Sequence, residues 1–322
     1  MGHLTDHRWM GAALALAGRG IGRTAPNPNV GCILVRDGRV IGRGWTQPGG
    51  RPHAEAMALA EAGESACGAT AYVTLEPCAH VSTRGPACTD LLIAAGVAHI
   101  VAAMGDPDPR TNGQGFDRAR AAGIAVTTGI CESEARAMIA GFLTRRAKER
   151  PFVTLKLATS LDGRIARPDG TSRWITGPQA RAHTHLERSR HEAILVGRGT
   201  LQADSPRLDV RLPGLETRSP RRILLSRTSE PGWETISSPH AITHLAGVDR
   251  LMVEGGAQTA SAFLAADLVD RLLLYRAPIL IGEGRAALGD IGLAALADAH
   301  GRWRLRDSRM LGIDRMEVYE RA

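Results

Sequence analysis

Short apolar runs bounded by turn residues alternate with alanine-rich helical stretches through the first half of the chain. Runs near residues 31–35, 40–44, 71–75, 99–104 and 124–127 read as strands, the first two joined as a hairpin across Asp37-Gly38. Ala71–Leu75 is a short buried strand that ends at Glu76-Pro77-Cys78. Pro52 precedes His53–Ala60, a run of good helix formers closed by Gly63. Thr89–Ala95 predicts a second helix, opening at Cys88 and closed by Gly96, and a longer helical stretch covers residues 132–144. Strands alternating with helices in this order predict a three-layer α/β domain.

A charged run, Arg145–Arg150, ends in Pro151 and has the character of a linker. At 322 residues the chain exceeds what one core usually supports, so two domains are expected, 1–148 and 149–322. In the second, Phe152–Leu155 reads as a strand that continues into Lys156, a charge among apolar neighbours that needs a partner or a ligand. Leu251–Val253 predicts a buried strand entering a Gly255-Gly256 turn and a helix from near Thr259. Such a turn can present N–H groups to a phosphate, but the G-x-G-x-x-G pattern of a Rossmann domain is missing.

The chemistry concentrates at His53, Glu55, Cys78 and Cys88. One histidine and two cysteines can hold zinc and leave its fourth position open to water. Glu55, two residues beyond the histidine, is placed to move protons rather than bind metal. This is the zinc-deaminase signature, in which metal-activated water attacks a ring carbon that bears an amine. Both helix N-termini would converge on the metal and favour thiolates. The alternative is a closed structural site, for which His80 would be the fourth ligand.

Charge and composition narrow the partners. The formal charge of +7 is carried almost wholly by arginine, lysine occurring only at Lys148 and Lys156. The arginines are scattered and aromatics make up 4% of the chain, so no stacking platform for nucleic acid is evident. Attraction of a phosphorylated small molecule accounts for the charge more economically. No apolar stretch reaches membrane-spanning length, and Met10–Ala17 is too short for a signal peptide. Five cysteines, two of them assigned to zinc, point to a reducing cytoplasm.

Several further motifs flank this core: Ala25–Gly31, Gly49–Glu55, Leu75–His80, Lys156–Gly163 and Trp174–Gly177. In order and content the chain resembles the bifunctional deaminase–reductases of riboflavin biosynthesis, from about Asp6 to Tyr319. The resemblance implies a cytidine-deaminase-like N-terminal domain and a dihydrofolate-reductase-like α/β C-terminal domain. It implies zinc and NADPH as cofactors, a phosphoribosyl pyrimidine as substrate and a homo-oligomer. On the deaminase side it assigns Asn27, His80 and Asp106 to the substrate. On the reductase side it assigns Lys156, Ser172, Arg188, Leu208, Arg211 and Glu254 to the phosphoribosyl group. Ala158, Trp174, Thr200, Asp204 and the Gly256 turn would line the NADPH site. Arg188 and Arg211 would suit a phosphate as forked donors.

The chain also departs from that pattern. The loop from Cys78 to Cys88 is one residue longer, which makes Arg84 the candidate for the substrate phosphate. Thr46 stands where a substrate-facing histidine is common, Asp108 where asparagine is, and Glu192 where aspartate is. Arg227–Asp249 is shorter than usual, which raises an active deaminase joined to a degenerate reductase as an alternative. A nucleobase or RNA deaminase and a zinc-stabilised binding module are the others.

Overall fold

The computed structural model describes residues 2–80 and 82–322; Val81, in the lengthened loop, lies outside the described residues. The chain divides into two compact units, Met1–Lys148 and Glu149–Ala322.

In the first unit, β1 (Gly31–Arg36), β2 (Arg39–Trp45), β3 (Thr70–Val73), β4 (His99–Ala102) and β5 (Ala125–Thr128) form a sheet in the order β2-β1-β3-β4-β5. β1 is antiparallel to both neighbours, while β3, β4 and β5 run parallel. Helices α1 (Gly2–Ala17), α2 (Ala54–Ala62), α3 (Cys88–Ala94) and α4 (Gln114–Ala121) accompany the sheet, followed by α5 (Glu132–Met138) and α6 (Ala140–Lys148).

Two glycines set the layers. Gly31 pairs with Trp45 and Cys32 with Gly44, so Gly31 and Gly44 face opposite sides of the sheet. A Cβ on Gly31 would stand 1.9 Å from the Ala13 carbonyl oxygen of α1. One on Gly44 would stand 1.9 Å from the Ala54 carbonyl oxygen of α2. Absent side chains thus let α1 close on one face and α2 on the other. This contact fixes the start of α2, where His53 and Glu55 lie.

Two sequence expectations are corrected here. The helix expected over 132–144 is two helices that break at Ile139, a residue only 2% exposed that leaves helical geometry as it enters the core. The run Arg145–Lys148, expected as linker, instead completes α6, where its positive charges suit the helix C-terminus. The chain leaves the helix at Glu149, whose φ is +55°.

The second unit begins with β6 (Phe152–Thr159), β7 (Arg164–Ala166), α7 (Pro178–Arg188), β8 (Ala193–Gly197) and α8 (Arg198–Asp204). It continues through β9 (Arg221–Leu225), β10 (Glu234–Ile236), β11 (Arg250–Val253), α9 (Ala257–Ala265), β12 (Arg271–Arg276) and β13 (Arg285–Ala286). The hairpin β14 (Trp303–Leu311) and β15 (Asp314–Arg321) closes the chain. Eight strands form one sheet, β10-β9-β8-β11-β6-β12-β15-β14, parallel from β10 to β12 and antiparallel through the last hairpin. β8 and β11 are buried along their whole length, as parallel strands covered on both faces must be.

The short segment 227–249 keeps the sheet continuous. It contributes β10 and a 3-10 turn, Pro239–His244, and buries Ile236, Ile242, Leu245 and Val248 in the core. No described helix is long and apolar enough to cross a membrane.

Candidate active sites

In the first unit three protein atoms converge. His53, Cys78 and Cys88 place one potential ligand atom each within 4.8 Å of one another. His53 is the N-cap of α2, Cys88 the first residue of α3, and Cys78 follows the end of β3. His53 Nδ1 lies 3.3 Å from Cys88 Sγ and 3.6 Å from Cys78 Sγ. Zinc bonds of about 2.3 Å to sulfur and about 2.0 Å to nitrogen, arranged tetrahedrally, would hold such donors roughly 3.6 Å apart. The spacing fits the ion.

Protonation argues the same way. The hydrogen bond with Cys88 and, less strongly, that with His53 pull the Cys78 thiol down to about 4, against burial. Cys88 is pushed up by the same pairing with Cys78 and by burial. Two thiolates side by side repel unless a cation stands between them. The Cys88 backbone N–H also donates to Cys78 Sγ at 3.3 Å, the weak compensation available from the protein.

Glu55 is 3% exposed, and burial raises its carboxyl to about 7 against the opposing pull of His53. A proton can therefore enter and leave it near neutrality. Asn27 meets the other edge of the His53 ring, with 2.9 Å between its amide and Nε2. The atom in contact is the amide nitrogen Nδ2, a donor to Nε2. Coordination through Nδ1 puts the ring proton on Nε2, and a half-turn of the carboxamide then presents its oxygen as the acceptor.

The remaining deaminase-side candidates fall into two groups. His80 Nδ1 lies 3.4 Å from Thr111 Oγ1, and the three-atom cluster does not include it among the described residues. Asp106 is 8% exposed, and burial raises its carboxyl to about 6. Arg84 is engaged elsewhere, donating to the Gly49 carbonyl at 2.6 Å. Thr46 is buried and accepts the Val30 N–H, so it supports the backbone where a histidine is usual. Asp108 takes both nitrogens of one edge of Arg110 and also pairs with Arg146, which accounts for an acid at a position usually held by asparagine.

Sequence reasoning treated Glu76 only as a strand end. Its buried carboxylate accepts backbone N–H groups from Asp106, Gly113, Gly115 and Phe116, at 2.9–3.3 Å. No sequence spacing announces contacts made thirty to forty residues away.

In the second unit, Lys156 finds the partner its burial demands. Its Nζ lies 3.7 Å from Glu254 Oε2. Glu254 also takes the Nε and Nη2 of Arg188, at 2.7 and 2.9 Å. Burial favours a neutral Glu254, but Arg188 and then Lys156 outweigh it and hold the carboxyl at about 2. Arg188 gives its remaining Nη1 to the Asp209 carbonyl, so the fork expected to face phosphate is occupied by protein. Arg211 is more than half exposed, with its Nε 3.5 Å from Asp209. Leu208 is buried with φ +57°, and Ser172 is half-buried.

The first turns of α8 and α9 adjoin. The Gly256 N–H donates to Thr200 Oγ1 at 3.1 Å, and Gly256 is the N-cap of α9. Positive helix ends side by side suit a pyrophosphate, so the residues present fit a dinucleotide. A Cβ on Gly255 would lie 2.5 Å from Thr259 Cβ, which keeps this turn bare. Ala158 is partly buried against the core, two residues after Lys156 and on the same face of β6. Trp174 is 66% exposed, with the Arg181 guanidinium 4.7 Å from its ring. Arg173 reaches the Asp204 carbonyl at 3.0 Å, tying the Trp174 loop to the end of α8. Arg198, which sequence reasoning passed over among many arginines, binds Ser226, Thr228, Ser229 and Glu230 and secures the start of the short segment.

Fold and sites together define a two-unit enzyme, a zinc deaminase joined to a dinucleotide-dependent reductase. Residues 4–104 match the cytidine and deoxycytidylate deaminase zinc-binding region, and residues 151–237 and 239–315 match the RibD C-terminal domain. The interruption at residue 238 falls inside the shortened segment. The riboflavin biosynthesis protein RibD of Escherichia coli is 41% identical over 97% of this chain and 98% of its own. That of Aquifex aeolicus is 37% identical over 91% and 92%. Among solved structures, Acinetobacter baumannii RibD superposes with a TM-score of 0.89 at 35% identity over 99% of both chains. A Thermotoga maritima diaminohydroxyphosphoribosylaminopyrimidine deaminase/5-amino-6-(5-phosphoribosylamino)uracil reductase gives 0.90 at 31% over the full length of both. The chain belongs to the RibD family, the bifunctional deaminase–reductases of riboflavin biosynthesis. Its deaminase unit uses zinc and its reductase unit NADPH.

Proposed function

We propose that this chain deaminates 2,5-diamino-6-(5-phosphoribosylamino)pyrimidin-4-one to the corresponding uracil and then reduces its ribosyl group to ribityl. The observation that carries the first step is the close triangle of His53, Cys78 and Cys88 with buried Glu55 beside it. Zinc held there would supply Lewis acidity that makes a water molecule acidic near neutral pH. Glu55 takes one proton of the attacking water and passes it to the ring nitrogen. It then takes the proton of the newly added hydroxyl and delivers it to the departing amine, so that ammonia leaves as the carbonyl forms. Asn27 fixes the ring of His53 from behind and offers its remaining amide group toward the pyrimidine. Asp106 recognises the base or its amino group, with His80 on the substrate side of Cys78.

For the second step, NADPH held by Ala158, Trp174, Thr200, Asp204 and the Gly256 turn would supply hydride to C1′ of the ribose. Lys156 and Glu254 bind and orient that ribose. Arg188 works through Glu254 by keeping its carboxylate ionised and aimed, while Arg211, Ser172 and Leu208 border the phosphoribosyl group. Arg211 is the more exposed of the two arginines and the better placed for phosphate. The same reading takes the protein to be cytoplasmic, supported by five cysteines of which two are given to zinc and none is paired in a disulfide, and a homo-oligomer, supported by the family resemblance.

Incubating zinc-loaded protein with this substrate and NADPH tests the proposal, with products identified by mass spectrometry. The ribitylamino uracil is expected. Unchanged substrate, together with ammonia release from a free nucleobase or RNA supplied in a parallel reaction, would point instead to a nucleobase deaminase.

A further inference from the structure

The segment from Asp106 to Phe116 carries no regular structure until α4, yet it holds the acid assigned to the pyrimidine. Turn hydrogen bonds from Thr111 and Asn112 to the Asp108 carbonyl, at 2.8 and 3.0 Å, shape it locally, and Glu76 ties it to the body of the unit. Gly113, the N-cap of α4, has φ +89° and no side chain, so the helix starts without a cap of its own. Glu76 supplies what is missing. Its Oε1 accepts the N–H groups of Gly115 and Phe116, 2.9 and 3.3 Å away, in the first turn of α4. Its Oε2 accepts those of Gly113 and Asp106, 3.0 and 3.1 Å away. A Cβ on Gly115 would stand 2.2 Å from the Pro77 carbonyl oxygen, so the start of α4 lies directly on the stretch beyond β3 that leads to Cys78.

Glu76 is 3% exposed and, among the described residues, has no hydrogen-bonded arginine or lysine. Each of its four bonds is to the main chain of this one segment. An apolar residue in this place would leave the N–H groups of Asp106, Gly113, Gly115 and Phe116 without this acceptor, so burial of the carboxylate is tied to holding this one segment. Main-chain bonds to a charged acceptor are strong and directional, and one of them fixes the backbone of Asp106 itself. Thr111, within the same segment, faces His80, so the clamp reaches both proposed substrate contacts.

We propose that Glu76 is a positioning residue for deamination: its carboxylate holds the 106–116 segment on the Pro77–Cys78 stretch beyond β3 and thereby aims Asp106 at the pyrimidine. The proposal rests on Asp106 as a substrate contact, the reading given above.

The test compares zinc-loaded full-length Glu76→Gln, Asp106→Asn and the double variant by steady-state ammonia release. Glu76→Gln keeps the size of the side chain and loses the second acceptor oxygen. Its KM is expected to rise about tenfold with a much smaller change in kcat. Zinc content and the NADPH oxidation rate on deaminated substrate should stay at wild-type levels. The double variant should be no worse than Asp106→Asn by itself, because both changes break one contact. Wild-type KM in Glu76→Gln overturns the proposal, as does a fall in kcat together with loss of zinc, which marks a merely structural group. Wild-type KM in Asp106→Asn alongside a raised KM in Glu76→Gln sinks the Asp106 assignment instead. Amide hydrogen exchange on the wild-type protein is independent of variant folding. Strong protection is expected at Asp106, Gly113, Gly115 and Phe116, and rapid exchange at Asp106 and Gly113 overturns the clamp.

Discussion

Glu254 accepts both Nε and Nη2 of Arg188, 66 residues away in sequence, and leaves its second face to Lys156 at 3.7 Å. This arrangement answers the question raised by a lysine on an apolar strand. The charge is kept because a buried carboxylate needs it, and Glu254 follows the C-terminal end of β11, where parallel sheets present their ligands, next to Lys156 in the middle of β6. Replacing Lys156 with methionine should lower the rate of NADPH oxidation by about tenfold or more and leave ammonia release unchanged. Stopped assays of each step on the same preparation check this.

The same cluster sets an acid limit on stability. Glu254 titrates at about 2 in the fold, below its ordinary value of 4.5. A depressed carboxyl contributes stability that is fully present above its unfolded value and is lost as pH falls through the folded value. Urea midpoints of the protein should therefore drop between pH 4.5 and 2. In Arg188→Met the decline should be shallower, and its midpoint at pH 7 lower, since one of the partners that ionises Glu254 is gone.

Glu55→Gln should reduce ammonia release by about 10²- to 10⁴-fold while zinc remains bound, because the amide cannot carry the proton and is no metal ligand here. Metal analysis beside the assay separates the two effects. Retained activity would remove Glu55 from the chemistry.

Chelation gives the complementary result. Stripping zinc should abolish ammonia release and restore it on readdition. NADPH oxidation with deaminated substrate supplied directly should continue at the original rate, since His53, Cys78 and Cys88 all belong to the first unit.

Much of this was legible in the sequence because the governing interactions are local. The strands of the first sheet follow from apolar runs, and the starts of α2 and α3 from Pro52, Gly63 and Gly96. The metal cluster was legible because histidine and cysteines at helix starts have few other uses. What escaped was non-local. Glu76 reads as any acid before a proline until the chain brings Gly113 and Gly115 to it. Arg198 is one of many arginines, and only the fold shows it tying down residues 226–230. Arg188 looked like a phosphate fork because nothing in the sequence shows that Glu254 occupies it. The break at Ile139 was invisible because helix propensity runs straight through it, whereas burial of that side chain requires the turn.

The bifunctional reading stands or falls on following ammonia release and NADPH oxidation separately in one reaction with purified, zinc-loaded protein. Ammonia should appear first, with NADPH consumed afterwards in equal amount. Ammonia without any loss of NADPH would contradict it, and would mean that the short segment between Arg227 and Asp249 has left the second unit without its reductase activity.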